Sequence, residues 1–303
     1  MLASLLQNIF NALQWGSFYS IIALGYCLVY GVLRLINFAH GDIFMSACYI
    51  AFFAATALLG KFAGGGVAVF VLTLVITMAG TALLGVTIER VAYRPLRNKG
   101  VNRLYVVITA LMVGFILENG NLALLGASNR RFPDIFVRQT WQVGPVMLTN
   151  LKVLVIVAAF AVLGILEFIV RKTVFGMSMR AISYDKFALP LMGIPVNRVI
   201  TMTFALGSAL AAVAGILFGM SYPVLDPYMG MNIGWKAFIA AVVGGIGDIK
   251  GAFLGGFMLG FIEIFITVIF PSSFKDLFSF VILLVIMVLK PTGFFGVARS
   301  TKI

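Results

Sequence analysis

Apolar runs long enough to cross a bilayer succeed one another along this chain and leave little room for any other fold. They fall near 9–33, 38–60, 64–88, 104–126, 151–170, 200–219, 235–248, 251–270 and 277–289. A spanning helix needs roughly 20 apolar residues at about 1.5 Å of rise each. The runs at 235–248 and 277–289 are short, and one of them is expected to be re-entrant, so the chain is expected to cross eight to ten times. Composition agrees: 62% of residues are hydrophobic and 11% charged, against about a quarter charged in soluble domains. The expected fold class is all-α, a polytopic transmembrane helical bundle in which residues 1–303 form one domain.

The formal net charge is +12, but its placement does not fit nucleic acid. The basic residues sit in loops between the runs and not on one helical face. Loop 89–103 carries Arg90, Arg94, Arg97, Lys99 and Arg103, and loop 171–199 carries Arg171, Lys172, Arg180, Lys186 and Arg198. The tail adds Lys290, Arg299 and Lys302. Short basic loops stay cytoplasmic, so these three segments read as inside. Two runs separate the first two loops, which is consistent. Loop 127–150 must then lie outside despite Arg130, Arg131 and Arg138. Counting back from an inside 89–103 loop places the N-terminus outside. No basic n-region precedes the first run, which is also too long for a cleaved leader.

Small residues recur at helical spacing. Gly207, Ala211 and Gly215 lie four apart, as do Gly251 with Gly255 and Gly256 with Gly260. Such spacing lets helix backbones approach closely, and internal packing is the expected use. Cys27 and Cys48 fall inside runs with no disulfide or metal-ligand spacing, which fits packing. Two places should break a helix. Gly244, Gly245, Gly247 and Gly251 cluster around Asp248 and Lys250, and Asn37 to Asp42 interrupts an apolar run. Gly41-Asp42-Ile43 recurs as Gly247-Asp248-Ile249, a short hint of two related halves. Transporters place broken helices beside the substrate route, which makes Asn37, His40, Asp42 and Asp248 candidates for a translocation path. His40 is the only histidine. A structural role at the helix break is expected of it, with proton relay the alternative.

Glu118 and Glu263 lie inside apolar runs. Intramembrane carboxylates face a bundle interior or a cavity, so both join the path candidates, with buttressing of a helix junction as the equal alternative. Glu167 sits one turn before Arg171 and is explained by an i,i+4 pair at the rim. No G-x-x-x-x-G-K-[ST], H-E-x-x-H or G-x-S-x-G run occurs, so the chain offers no catalytic residue, no metal site and no nucleotide-binding loop. Between two runs lies a polar island, Phe175 to Arg198, short and amphipathic, and suited to docking a soluble partner.

Three stretches resemble the LivH-type permeases of branched-chain amino acid ABC transporters. They are Leu33-Arg34-Leu35-Ile36-Asn37-Phe38-Ala39-His40-Gly41-Asp42, the island from Met179 to Ile194, and Gly244-Gly245-Ile246-Gly247-Asp248-Ile249-Lys250-Gly251-Ala252. The likeness extends through Thr203–Gly215. It implies a multi-pass permease subunit of the inner (cytoplasmic) membrane, embedded in lipid. Expected partners are a second, LivM-type permease, two cytoplasmic ATPase subunits that bind ATP and Mg, and an extracytoplasmic substrate-binding protein. This chain would bind no cofactor, no metal and no nucleic acid.

The resemblance makes the island a coupling helix. Arg180, Asp185 and Lys186 would give polar contacts to an ATPase, with Leu191, Met192 and Ile194 giving apolar ones. Ala181 and Ala188 are its small residues, and Gly193 would end the helix as a C-cap. Leu189-Pro190 departs from the alanines common there and predicts two short helices with a break before Pro190. Leucine, isoleucine and valine are the leading substrates. Urea or short amides are the alternative, and a stand-alone proton-coupled carrier using Glu118, Glu263 and His40 is a rival class.

Overall fold

A computed structural model describes residues 2–62, 65–184 and 188–296. Asp185, Lys186, Arg299 and Lys302 lie outside the described residues. The long helices are α1 (Leu2–Leu33), α2 (His40–Leu59), α3 (Val67–Ile88), α5 (Arg103–Leu125), α6 (Asn150–Lys172), α9 (Val196–Ser221) and α11 (Ile249–Ile269). Shorter ones are α4 (Arg94–Asn98), α7 (Val174–Tyr184), α8 (Ala188–Leu191), α10 (Met229–Gly245) and α12 (Lys275–Leu289). Among the described residues, eight helical segments are long and apolar enough to cross a membrane. The last of them joins a 3-10 turn, Ser272–Phe274, to α12. The segment falling short is α10, at 17 residues.

α1 is the central post, deeply buried along its length. α11 runs antiparallel against it. Gly256 meets the backbone of Ser20, and Gly260 meets that of Gly16 and Ala12. A Cβ on Gly260 would sit 2.5 Å from Gly16 Cα, so only glycine permits this approach. α9 covers another side of α1, with Gly207 over Gly25 and Gly215 against Ala47 and Cys48 of α2. The spaced small residues thus serve packing inside the chain. Cys27 and Cys48 are both free and buried.

Both expected helix breaks are present. α1 stops at Leu33, where Arg34 takes a left-handed backbone (φ 57), a conformation costly for a side-chain-bearing residue. The chain then turns back, and α2 begins at His40 beside Gly25, well inside the bundle. Gly41 and Asp42 therefore lie in the first turn of α2. The second break falls between Gly245 (φ 113) and Ile249, with Gly247 (φ 103) in the turn. Asp248 caps α11 by accepting from Gly251 N at 2.7 Å. The two matching triplets thus occupy different places relative to their helices.

One end of the bundle carries α4, α7, α8 and the basic loops; we call it the basic end. The opposite end carries a hairpin, β2 (Thr140–Val143) with β3 (Val146–Thr149), and a short pairing of β1 (Arg130–Arg131) with β4 (Val224–Leu225). These strands account for the expected loop 127–150 and pin its arginines in place. Arg130 donates to the Leu125 carbonyl at 2.8 Å, and Arg138 to the Met220 carbonyl at 3.2 Å.

Candidate translocation cavity and docking face

Three polar constellations interrupt the apolar packing. The first lies between α2, α5 and α10. Asp42, in the first turn of α2, is 8% exposed, and its two oxygens face opposite neighbours. A Cβ on Gly114 of α5 would lie 2.6 Å from Oδ2, and one on Gly230 of α10 would lie 2.7 Å from Oδ1. The carboxylate is clamped between two glycine backbones. Close contact of Gly41 with Gly230 and Gly234 brings α2 and α10 together here. Asp42 and Glu118 line one cavity with Tyr26, Phe38 and Trp235. Nearby, Asn121 of α5 donates to Ser46 Oγ at 3.4 Å.

The second constellation is an ion cluster toward the hairpin end. Glu263 has no exposed surface and holds Lys236 at 3.0 Å and Lys275 at 2.7 Å. Tyr19 donates to Glu263 Oε2 at 2.8 Å, and Lys236 reaches Asp276 at 2.5 Å. Lys275 also lies over the Trp15 ring at 4.8 Å. These contacts bind α1, α10, α11 and α12 into one unit. Burying Glu263 is tolerable because two cations and a hydroxyl surround it.

The third sits at the basic end. Glu89, in a π-helical turn (Glu89–Tyr93), takes Arg94 and Arg97 at 2.9 Å each and accepts from Thr201 at 2.8 Å. Arg97 reaches Asn197 as well, at 2.8 Å. This ties the end of α3 to the start of α9. Tyr93 donates to Asn37 Oδ1 at 2.7 Å, fixing the loop between α1 and α2.

The six path candidates therefore fall in five places. Asp42 and Glu118 share a cavity. Asn37 is held by Tyr93. His40 is fully packed, its ring edge-on to Tyr26 with centroids 4.7 Å apart; it does not cap α2, whose N-cap is Ala39. Asp248 is a helix cap and Glu263 the centre of the ion cluster. The residues that complete these sites (Gly114, Gly230, Lys236, Lys275) carry no local sequence signal, because they come from remote helices.

Of the polar island, Val174–Tyr184 forms α7 and Ala188–Leu191 forms α8; residues 185–187 between them, where the expected break would fall, lie outside the described residues. Pro190 lies in the short α8. α7 is amphipathic. Met179 and Ile182 are buried, whereas Met177 and Arg180 are exposed. The Arg180 guanidinium donates to the Val170 carbonyl at the end of α6. Ala181 is half-buried on the same helix. After α8, Gly193 (φ 77) donates to the Pro190 carbonyl and Ile194 N to the Leu189 carbonyl, both at 3.1 Å. That pair of bonds is a Schellman C-cap with Gly193 at its left-handed position. It leaves Leu191 90% and Met192 75% exposed, with Leu189 buried beneath them and Ile194 half-buried. Glu167 pairs with Arg171 at 3.0 Å, as its spacing predicts, and also with Lys250 at 3.3 Å.

Residues 8–288 match the family described as "Branched-chain amino acid transport system / permease component". The chain belongs to this permease family. It is 38% identical to the high-affinity branched-chain amino acid transport system permease protein LivH of Escherichia coli (strain K12), over 98% of this chain and 97% of that protein. It is likewise 38% identical to the corresponding permease protein BraD of Pseudomonas aeruginosa, over 98% of each chain. LivH of Salmonella typhimurium is 36% identical over 98% of this chain and 97% of its own. These relatives are transport permeases. With eight helices long enough to span a bilayer among the described residues, this member of the family is a multi-pass inner-membrane protein.

Proposed function

We propose that this chain is the membrane-spanning permease subunit of an ATP-driven importer of branched-chain amino acids, coupled to cytoplasmic ATPases through α7 and α8. The observation that carries this reading is the 38% identity to LivH and BraD along 98% of the chain. The basic end faces the cytoplasm, in keeping with the bias of basic loops. There α7, α8 and the capped turn at Gly193 present Leu191 and Met192 to an ATPase groove. Arg180, Ala181, Asp185, Lys186, Ala188 and Ile194 belong to the same docking segment. A second, LivM-type permease completes the path, and an extracytoplasmic binding protein delivers the substrate.

ATP binding closes the ATPase pair and moves the docking segments with it. Attachment of α7 to α6, through Arg180 and Val170 and the close approach of Gly176 to the Val170 and Ile169 carbonyls, passes that motion to the bundle. α1, α10, α11 and α12 move together because the Glu263 cluster joins them. The path opens toward the binding protein, and hydrolysis returns it to face inward. The test is reconstitution with the partner subunits in liposomes. Leucine, isoleucine or valine uptake that needs both ATP and the binding protein is expected. Uptake by this chain alone, driven by a proton gradient, would overturn the reading, and uptake of urea or short amides in place of amino acids would overturn the substrate assignment.

A further inference from the structure

The cavity bounded by Asp42 and Glu118 has features that packing alone does not require. It sits at half depth: Gly114 is 11 residues from Arg103 and 11 from Leu125 at the two ends of α5. Two helices begin beside it, α2 at His40 and α10 at Met229. Transporter sites are commonly built at this level from interrupted helices. Asp42 is more than nine-tenths buried, and Oδ1 has no hydrogen-bond partner among the described residues. Among those residues it also forms no ion pair, in contrast to Glu263 and Glu89. A buried carboxylate without a partner is costly. The N-terminal ends of α2 and α10 partly offset that cost, since helix N-termini favour negative charge. Neither helix end supplies a counter-charge, so a cation entering the cavity would be the first to meet Asp42.

Besides the apolar Leu111 and Met231, the lining offers a second carboxylate and aromatic rings. Glu118 stands one turn beyond Gly114 on α5 and lines the same space. Tyr26, Phe38 and Trp235 border it, with Phe38 and Trp235 in ring contact at 5.2 Å. Aromatic faces attract cations. The volume, about 80 Å³, accommodates a small cationic headgroup with water. We propose that the Asp42–Glu118 cavity receives the ammonium group of the transported amino acid during its passage. This rests on the importer reading above and adds to it a site and a chemistry. Asp42 is the buried anchor, and Glu118, half-exposed, is the entry carboxylate. The aromatic rings limit hydration of the bound cation.

The test uses the purified transporter complex with Trp15→Phe and Trp141→Phe in this chain, leaving Trp235 as its one tryptophan. The same complex with Trp235→Phe as well supplies the background from partner subunits. The Trp235 difference signal is titrated with leucine, leucine amide, isocaproate and sodium. Leucine and leucine amide should perturb it, and isocaproate, which lacks the ammonium, should not. Glu118→Gln should weaken the response at least about tenfold, the scale of one lost charge-assisted bond, and Glu118→Asp should restore part of it. Asp42→Asn should abolish it. If Asp42→Asn does not assemble, Glu118→Gln alone decides, because Glu118 is half-exposed. An equal response to isocaproate, a response to sodium matching that to leucine amide, or none to any probe would each overturn the proposal. Leucine uptake by the unmodified complex is measured in parallel. Normal uptake with no ammonium response sinks this site and spares the importer reading. A response to leucine amide without branched-chain uptake sinks the importer reading and leaves a cation site.

Discussion

Lys275 at the first position of α12 lies 2.7 Å from Glu263 in the middle of α11, and the same ammonium rests 4.8 Å over the Trp15 ring of α1. One cation thus fastens three helices. Glu263 in turn balances two lysines and a tyrosine hydroxyl with no exposed surface of its own. A buried charge deprived of its partner is strongly destabilising, by about 3–5 kcal/mol. Glu263→Gln should therefore lower the thermal midpoint of the detergent-solubilised protein markedly and reduce its yield in the membrane. Lys275→Met, which leaves Lys236 to pair with Glu263, should do less. Normal thermal stability of Glu263→Gln together with lost transport would instead mark Glu263 as a transport carboxylate.

The glycine seams predict a graded series. A Cβ at Gly260 would meet the backbone of Gly16 and Ala12, which cannot move aside. At Gly207 the nearest atom to such a Cβ is 3.4 Å away, an ordinary contact. Gly260→Ala should destabilise by roughly 1–3 kcal/mol, the usual scale of overpacking. Gly207→Ala should be nearly neutral. Comparing the thermal midpoints of the two variants checks this, and equal effects would contradict the α1–α11 seam described above.

Docking through α8 predicts a separation of assembly from folding. Leu191 and Met192 are exposed while Leu189 beneath them is buried. Exposed apolar residues at an interface centre carry much of its binding energy. Leu191→Asp with Met192→Asp should leave the chain in the membrane at normal abundance, yet reduce ATPase subunit co-purification by about tenfold or more. Arg180→Glu should act differently. It removes the bond to the Val170 carbonyl, so it loosens α7 from α6 and should uncouple ATP hydrolysis from uptake even where the subunits remain bound. Undiminished uptake in the Leu191/Met192 variant would show that α8 is not the contact.

Which features were legible in sequence follows the range of the interactions involved. Runs of apolar residues, the breaks expected at Asn37–Asp42 and around Gly244–Gly251, and the four-residue glycine spacings are local; each has a counterpart in the fold, although the first break falls a few residues earlier, at 34–39. The Glu167–Arg171 pair and the turn at Gly193 are local too. Asp42 stands out only as part of a helix break and Glu263 as a carboxylate inside an apolar run, and neither reading gives their surroundings, which come from other helices. Lys236 and Lys275 neutralise one of them. Gly114 and Gly230 enclose the other, and a glycine that makes room for a carboxylate looks in sequence like any other glycine. His40 illustrates the same point: its position at a break suggests a structural role there, but the Gly25 and Tyr26 that pack against it belong to another helix.

Sidedness gives the last prediction, since the reading of α7 and α8 as an ATPase contact requires the basic end to face the cytoplasm. Lys99 beyond α4 and Gln142 in the hairpin are both exposed and lie at opposite ends of the bundle. Cys27 and Cys48 are buried, so they contribute little background to thiol labelling. In intact cells with a permeable outer envelope, a membrane-impermeant maleimide should label Gln142→Cys readily. It should label Lys99→Cys only after the inner membrane is opened. The charge distribution is the physical reason: five basic residues in each of the loops 89–103 and 171–199 outweigh three in loop 127–150. Labelling of Lys99→Cys in intact cells with protection of Gln142→Cys would invert the molecule. It would place α8 beyond the reach of any cytoplasmic ATPase and remove the coupling proposal with it.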